Sequence, residues 1–297
     1  MVGDFARELE KRCQEEPDQA PIVPAVRMLL NFVKDTNYGS VQELQTSLDD
    51  LSKALVRSSC ATIGVESACQ LFKRFITLTQ LDVDLQQLKP ALVARGEAFL
   101  QKISKDRQKV ACLAAPFILN GHRLMVHSRS RVVRDALLEA AKIRANFMVY
   151  ITSSGGVDNA GAQLAKELKA AEAGAGTVEV MLIADSAVGY YMERTDLVLL
   201  GAEGIVESGG IINRIGTFPI ALMARKLNVP VFVLAESVKC IRFFPLAQKD
   251  LETLPNALKK GQPCVDYTSP DLIRLLITDL GTLTPSAVSD ELIKLYL

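Results

Sequence analysis

The sequence predicts an α/β protein in which an all-helical domain over residues 1–110 precedes a mostly parallel α/β domain over residues 111–297. The first observation is that apolar side chains recur at helical spacing in the N-terminal part, and no alternating stretch interrupts them. The second is that short β-rich runs then alternate with helical patterns, which is typical of βαβ units with right-handed crossovers.

The composition narrows the classes of function. Of the 297 residues, 49% are hydrophobic, which is enough for a sizeable core. Lys plus Arg and Asp plus Glu number 34 each and Trp is absent, so neither charge nor base stacking favours a nucleic-acid partner. The six cysteines are scattered, none forms a C-x-x-C pair and only two histidines exist, which argues against a metal site and a disulfide framework.

The sequence shows neither a signal-peptide pattern nor an apolar run of membrane-helix length, so we expect a soluble cytosolic protein with no membrane partner.

Five helices are predicted in the N-terminal domain. Pro21 and Pro24 mark the entry of the second helix, since proline is tolerated in a first turn. Ser40 can cap the third helix, and Glu43 follows three residues later, as in a capping box. The apolar positions that define the five helices are Phe5 and Leu9; Val26, Leu29, Leu30 and Val33; Val41, Leu44, Leu48, Leu51 and Leu55; Ala68, Leu71, Phe72, Phe75 and Ile76; and Leu92, Phe99, Leu100 and Ile103.

Strands and helices alternate in the second domain. Helical patterns at 131–144 and 161–171 separate the β-rich runs, and a capped helix is predicted to start at Ser269 and to end at Gly281. A last short helix is expected over 288–295. The β-rich runs are 124–127, 147–151, 180–183, 197–200 and 231–234.

A glycine-rich stretch, GAEGIVESGGIINRIGT at 201–217, follows the fourth of these runs and precedes a helical pattern. Such a turn can present backbone N–H groups to an anion. It matches neither G-x-G-x-x-G nor G-x-x-x-x-G-K-[ST], so neither nucleotide fingerprint applies. A ligand loop and a simple connecting turn remain equally open from the spacing.

Polar residues follow four of the predicted strands, and ligands of parallel sheets bind beyond the carboxyl ends of the strands. His127 is interpreted as a hydrogen-bonded structural histidine rather than a general base. Arg129 and Arg131 fit either a phosphate site or an exposed helix start. Asp185 fits either a contact to a sugar hydroxyl or a helix cap. The carboxylates of Glu203 and Glu207 fit either acid–base work or a solvated turn.

These motifs resemble the initiation factor 2B alpha/beta/delta family. The resemblance rests on DSAVGYYMERTDLVLL followed by GAEGIVESGGIINRIGT, on FVLAESVKCIRFFPL and on LFKRFITL. The last thirty residues, TSPDLIRLLITDLGTLTPSAVSDELIKLYL, resemble the C-terminus of its alpha type and are highly specific. The resemblance covers nearly the whole chain and implies a Rossmann-like second domain.

The resemblance implies a regulatory rather than catalytic role. Members of this kind belong to the guanine-nucleotide exchange factor for initiation factor 2. We therefore expect a homodimer that joins the beta, gamma, delta and epsilon subunits and senses the phosphorylated alpha subunit of initiation factor 2. In the family the helical domain faces that phosphorylated partner, and Ser40 and Glu43 match the helix start where sensing is disturbed. The Rossmann-like domain is expected to form the dimer.

The same fold includes sugar-phosphate isomerases acting on methylthioribose 1-phosphate and ribose 1,5-bisphosphate. Those enzymes use a cysteine and an aspartate at positions that match Ser128 and Glu203 here, so the resemblance implies no isomerase activity. It implies no required cofactor, but a sugar phosphate or nucleoside monophosphate as a pocket ligand. The phosphate-binding positions that this chain keeps are Arg131, Gly209, Gly210, Asn213 and Arg214.

Three departures from the family pattern bear on that ligand. Arg129 stands where an aromatic residue is usual, and Arg214 stands where lysine is usual. The stretch 152–156 lacks an acid and a proline. Besides the regulatory subunit, two alternatives are therefore kept: an active sugar-phosphate isomerase, and a bare structural dimerisation module.

Overall fold

The computed structural model describes residues 2–36, 38–77, 85–143, 146–153, 159–171, 177–259 and 261–296. The chain divides into two compact units. Residues 2–105 and 254–256 form the bulk of the first, and residues 106–253 and 257–295 form the bulk of the second. The first unit is helical and the second is built on a mostly parallel sheet, so the predicted fold class is confirmed.

The first unit consists of helices whose apolar faces meet. Each shows the predicted helical spacing, and fully buried side chains such as Leu29, Leu48 and Phe72 form its core. The helices are α1 (Val2–Glu15), α2 (Ile22–Asp35), α3 (Val41–Val56), α4 (Ile63–Thr77) and the beginning of α5 (Leu85–Ala114).

The N-terminus of α3 is capped as the sequence predicts. The N–H of Glu43 donates to Ser40 Oγ at 3.1 Å, which satisfies one of the free donors of the first turn. The carboxylate of Glu43 reaches back, but it accepts from the N–H of Gly39 at 2.7 Å rather than from Ser40. Both Ser40 and Glu43 remain exposed.

The second unit contains a seven-stranded sheet in the order β12-β11-β7-β4-β1-β2-β3, in which only β12 runs antiparallel to its neighbour. The five predicted β-rich runs are confirmed as strands of this sheet. The strands are β1 (Arg123–His127), β2 (Phe147–Thr152), β3 (Val178–Ile183), β4 (Leu197–Gly201), β5 (Gly204–Ile205), β6 (Ile211–Arg214), β7 (Val231–Leu234), β8 (Leu258–Lys259), β9 (Gln262–Pro263), β10 (Val265–Thr268), β11 (Leu275–Thr278) and β12 (Gly281–Leu283).

Helices cover the sheet on both faces. The end of α5 packs with α6 (Arg131–Lys142) and α7 (Ala160–Ala170) over one face, where Leu137 and Leu164 meet Leu124 and Val149 in one apolar cluster. On the other side, α8 (Val188–Met192) packs against α9 (Thr217–Lys226), and α9 contacts β4 and β7. The last helix is α10 (Pro285–Tyr296), close to the predicted position.

The predicted helix between Ser269 and Gly281 is wrong. A 3-10 turn at Pro270–Leu272 leads into strand β11, and Gly281 opens strand β12 rather than ending a helix. The run Leu275–Thr278 is short, apolar and largely buried beside β7, a pattern that fits a buried strand as well as a helix. Gly281 has φ of +140°, which a hairpin connection between β11 and β12 accommodates.

The glycine-rich stretch is not a bare turn. It forms β5 and β6, which pair antiparallel with each other, and β6 pairs with β10. This second sheet has three strands in the order β10-β6-β5. Helix α9 begins shortly after strand β6 ends. The segment 201–217 therefore becomes a small folded layer at the end of β4.

Within the described ranges, none of the helices is long and apolar enough to span a bilayer.

Candidate functional site

The carboxyl ends of four neighbouring parallel strands lie at one edge of the large sheet, which confirms the predicted convergence. The strands β4, β1, β2 and β3 are adjacent in that order. The residues that follow them therefore lie together at this edge of the sheet, which we call the rim. His127 and Thr152 are register partners at the ends of β1 and β2. Ser153 Oγ donates to Asp185 Oδ1 at 3.4 Å, which links the ends of β2 and β3.

His127 ties the rim to the glycine-rich segment, as a structural histidine. Its Nε2 lies 2.9 Å from the carbonyl oxygen of Ile215, and its Nδ1 lies 2.7 Å from Thr152 Oγ1. Because a carbonyl only accepts, Nε2 carries the proton, and neutral His127 accepts at Nδ1 from the threonine hydroxyl. Burial lowers the pKa of His127, although its hydrogen bond to Ile215 and the charge of Asp185 act in the opposite direction. Because the ring is neutral and both of its nitrogens are hydrogen-bonded, His127 fits a structural role better than the role of a general base.

Ser128 occupies a strained position directly after β1. Its φ of 57° lies in the left-handed region, which few residues other than glycine adopt, and its side chain is buried. Such a conformation costs about 1–3 kcal/mol and persists only where the surroundings enforce it. The turn brings Ser130 to the start of α6, where its hydroxyl accepts from the N–H of Val133 at 3.4 Å.

The two arginines that follow lie in different surroundings. Arg129 Nε donates to Glu167 Oε1 on α7 at 2.7 Å, and Arg134 reaches the other oxygen of that carboxylate at 3.3 Å. Arg131 is the first residue of α6 and is partly exposed. Phosphate binding by Arg129 or Arg131 stays a prediction, and Arg129 already donates to Glu167 through Nε.

Gly209 and Gly210 are packed against the chain itself. A Cβ atom at Gly209 would lie 2.1 Å from the carbonyl oxygen of Pro285, and φ there is +80°. A Cβ atom at Gly210 would lie 2.6 Å from the ring of Tyr267. The structure therefore gives both glycines a packing reason, and a phosphate-binding role for them stays a prediction.

Four further residues of the segment are joined by an ion pair and hydrogen bonds. Arg214 Nε lies 3.2 Å from Glu203 Oε1, so the carboxylate of Glu203 forms an ion pair between β6 and the start of β5. Asn213 is buried, and its amide donates to Thr217 Oγ1 at 3.0 Å. Thr217 Oγ1 in turn donates to the carbonyl oxygen of Arg214 at 2.7 Å.

Asp266 is a buried carboxyl that the sequence analysis missed. It lies on β10 and is 3% exposed. Its Oδ2 accepts from the N–H of Gly216 at 2.7 Å and of Phe218 at 3.0 Å, so it caps the first turn of α9. Among the described residues its Oδ1 has no hydrogen-bond partner. The available signal was a single carboxylate inside the β-rich run Val265–Thr268, which is unusual in a strand.

One predicted stretch lies partly outside the described residues. Of the stretch 152–156, the structure describes Thr152 and Ser153, and the rest lies outside the described residues. In the part of the chain that is described, no three His, Cys, Asp or Glu side chains cluster as metal ligands would.

Residues 14–285 match the initiation factor 2 subunit family. This chain belongs to that family. It is 39% identical to translation initiation factor eIF2B subunit alpha of Dictyostelium discoideum, over 97% of this chain and 95% of that protein. It is 34% identical to the subunit of the same name of Caenorhabditis elegans, over 100% and 98%.

More distant relatives share the family and the fold. Ribose 1,5-bisphosphate isomerase of Pyrococcus furiosus is 26% identical over 84% of this chain and 80% of its own. A chain in the crystal structure of the tetrameric eIF2B-beta2-delta2 complex from C. thermophilum superposes with a TM-score of 0.83 at 21% identity, covering 99% of this chain and 94% of that chain. Family membership alone therefore includes both subunits and enzymes, and the residues of the rim must discriminate between them.

We predict that Asp266 makes the stability of the second unit depend on pH. Burial raises its pKa from 3.8 to about 7, against the opposing effect of the N–H groups of Phe218, Gly216 and Thr217. Between about pH 4 and pH 7 the folded chain therefore holds a proton that the unfolded chain has lost, so this contribution to stability is present at low pH and is lost as pH rises. Asp266→Asn imitates the protonated form, so its free energy of unfolding relative to the wild type should rise with pH across that window, by about 4 kcal/mol in all.

Urea unfolding of both proteins at several pH values measures the difference in free energy. The pKa of His127 is lowered, so His127 contributes stability that is present above its unfolded pKa and is lost as pH falls. Because His127 titrates in both proteins, its contribution cancels in the difference between their free energies of unfolding. A difference between variant and wild type that stays constant from pH 4 to pH 7 would contradict the assignment.

Proposed function

We propose that this chain is a non-catalytic regulatory subunit of the guanine-nucleotide exchange factor for initiation factor 2. The observation that carries the proposal is a sequence identity of 39% and 34%, over nearly the whole chain, to two proteins named as alpha subunits of eIF2B. In this proposal the chain works in the cytosol, joins the beta, gamma, delta and epsilon subunits, and makes exchange sensitive to the phosphorylated alpha subunit of initiation factor 2.

The rim supports the non-catalytic part of the proposal. Ser128 presents a hydroxyl that is a far weaker acid than a thiol, and the nearest histidine in sequence, His127, is neutral and engaged at both nitrogens. The carboxylate of Glu203 is already engaged in an ion pair with Arg214, whose Nε lies 3.2 Å from Glu203 Oε1. The pairing of Arg129 with Glu167 further reduces the positive charge available to a bisphosphate.

Homodimerisation through the second unit is part of the proposal. Large apolar side chains are exposed there on adjacent elements: Tyr190 on α8 is 62% exposed, and Leu222 and Met223 on α9 are 51% and 38% exposed. Exposed apolar surface of this kind marks interaction sites when it is contiguous.

A sugar phosphate or nucleoside monophosphate at the rim stays a prediction.

The proposal is tested by reconstituting the complex from purified subunits with and without this chain. Nucleotide release from initiation factor 2 is followed as the phosphorylated factor is added. We expect inhibition by the phosphorylated factor only when this chain is present. If the chain neither joins the complex nor changes inhibition, and instead converts ribose 1,5-bisphosphate to the ketose in an NMR assay, the isomerase alternative is correct.

We also predict that the start of α3 contacts the phosphorylated factor. Reversing the charge of exposed Glu43 should raise the concentration of phosphorylated factor needed for half inhibition roughly fivefold, equivalent to about 1 kcal/mol. Glu43→Gln keeps an acceptor for the N–H of Gly39 and separates loss of charge from loss of the cap. Asp50→Lys, on an exposed position of the same helix, is the matched control and should leave inhibition unchanged. Equal behaviour of Glu43→Lys and Asp50→Lys would exclude a specific contact at Glu43.

A further inference from the structure

Two cysteines far apart in the sequence meet in the first unit. Cys13 lies in the last turns of α1, and Cys60 lies in the connection between α3 and α4. Their Sγ atoms are 3.2 Å apart although 47 positions separate them in the chain. Both side chains are partly exposed, so a small molecule can reach them.

Contacts other than the thiols hold this pair in place. Glu10, one turn before Cys13 on α1, accepts from the N–H of Ser59 at 2.9 Å and from its hydroxyl at 2.8 Å. The Ser58 hydroxyl lies within 3.3 Å of both Glu10 Oε1 and Cys60 Sγ. Asn256 donates to the carbonyl oxygen of Ser58 at 3.2 Å and to that of Ala61 at 2.8 Å. Glu10 and Asn256 therefore hold the connection that carries Cys60 through contacts that do not involve either sulfur.

We propose that Cys13 and Cys60 form a redox site, which peroxides oxidise to a disulfide that joins α1 to the α3–α4 connection. A disulfide needs sulfurs about 2.05 Å apart, so closure requires an approach of about 1.1 Å from the present 3.2 Å. This site is separate from the rim of the second unit and does not depend on the function proposed above.

Cys60 is the residue that attacks the oxidant. The hydrogen bond with Cys13 lowers the pKa of Cys60 to about 6, the Ser58 hydroxyl adds to this, and burial and the charge of Glu10 act in the opposite direction. At neutral pH its thiolate attacks one oxygen of hydrogen peroxide, the O–O bond breaks, and Cys60 sulfenic acid and hydroxide form. Cys13 then attacks the Cys60 sulfur, the S–O bond breaks, and a second hydroxide leaves. With the two thiol protons, the sum is two thiols and one peroxide giving one disulfide and two waters.

The other cysteines lack this combination of partner and access. Cys69 is fully buried, and burial raises the pKa of its thiol to about 12. Cys240 is also buried. Cys264 is partly exposed, and its thiol donates to the carbonyl oxygen of Gln262 at 3.9 Å rather than contacting a second thiol. Cys112 is exposed, and its contact with another side chain is to the amide of Gln108 at 3.6 Å rather than to a second thiol. We therefore expect Cys60 to react before Cys112 in spite of the greater exposure of Cys112.

Closing the bond would constrain the unfolded chain across the segment between Cys13 and Cys60 and would fasten α1 to the unit. The oxidised protein should unfold at a temperature higher by on the order of 5 °C, and dithiothreitol should reverse the change.

The test treats the full chain with a few equivalents of hydrogen peroxide at pH 7, followed by alkylation, digestion and mass spectrometry. We expect a peptide pair linked through Cys13 and Cys60, absent after reduction. In Cys13→Ser, Cys60 should stop at the sulfenic acid and react with dimedone. Cys112→Ser, the control, should form the link at the wild-type rate.

Two results would overturn the proposal. One is a wild-type chain in which Cys112 is oxidised while Cys13 and Cys60 remain unlinked thiols. The other is a link that forms only after the chain is unfolded in urea. Because the decisive reading is made on the wild type, a Cys13→Ser protein that fails to fold, as judged by circular dichroism, leaves the test intact.

Discussion

The second unit depends on how the segment 201–218 is fastened to the edge of the sheet. Two buried groups do this from opposite sides: His127 at the end of β1 binds the carbonyl oxygen of Ile215, and Asp266 on β10 binds the N–H groups of Gly216 and Phe218. Gly216 is required between them, because φ is +105° and a Cβ atom would lie 2.8 Å from His127 Cε1. The direction in which α9 leaves the segment follows from these contacts.

The rim has the position of an α/β active site, but many of its polar side chains are engaged by other groups of the chain. Polar side chains converge where parallel strands end, as they do in α/β enzymes. Here they bind one another: His127 with Thr152, Arg129 with Glu167, Glu203 with Arg214, and Asn213 with Thr217. A rim whose polar groups are committed to internal contacts suits a subunit that offers surfaces to other proteins. In that role the rim needs rigidity more than reactivity.

Much of the fold can be predicted because it follows from local periodicity. The strands Arg123–His127 and Phe147–Thr152 and the cap at Ser40 are signalled by neighbouring residues alone. The run Leu275–Thr278 cannot be assigned from the sequence, because a short apolar run between turn residues fits both a helix and a strand, and its position beside β7 decides between them. The layer of β5, β6 and β10 was missed for a similar reason, since the pairing joins Ile211–Arg214 to a strand about fifty residues later.

The site was less predictable than the fold. That His127, Asp185 and the glycine-rich segment share a rim follows from strand order, but the partners of Arg129 and Glu203 depend on packing between elements. The packing of Gly209 against Pro285 and of Gly210 against Tyr267 likewise depends on tertiary contacts that the sequence does not show. Asp266 and the pair formed by Cys13 and Cys60 are likewise tertiary features, which spacing along the chain does not reveal.

The protonation state of His127 is the most direct test of how the segment is held, because the bond to Ile215 requires a proton on Nε2 and the bond from Thr152 requires none on Nδ1. Nitrogen-15 NMR of the imidazole at pH 6.5, where an ordinary histidine is about half protonated, reports both the charge and the tautomer. The structure predicts a neutral ring with the proton on Nε2. A neutral ring with the proton on Nδ1 would contradict the hydrogen bond to Ile215, and an imidazolium ion at that pH would contradict the acceptance by Nδ1 of a hydrogen bond from Thr152.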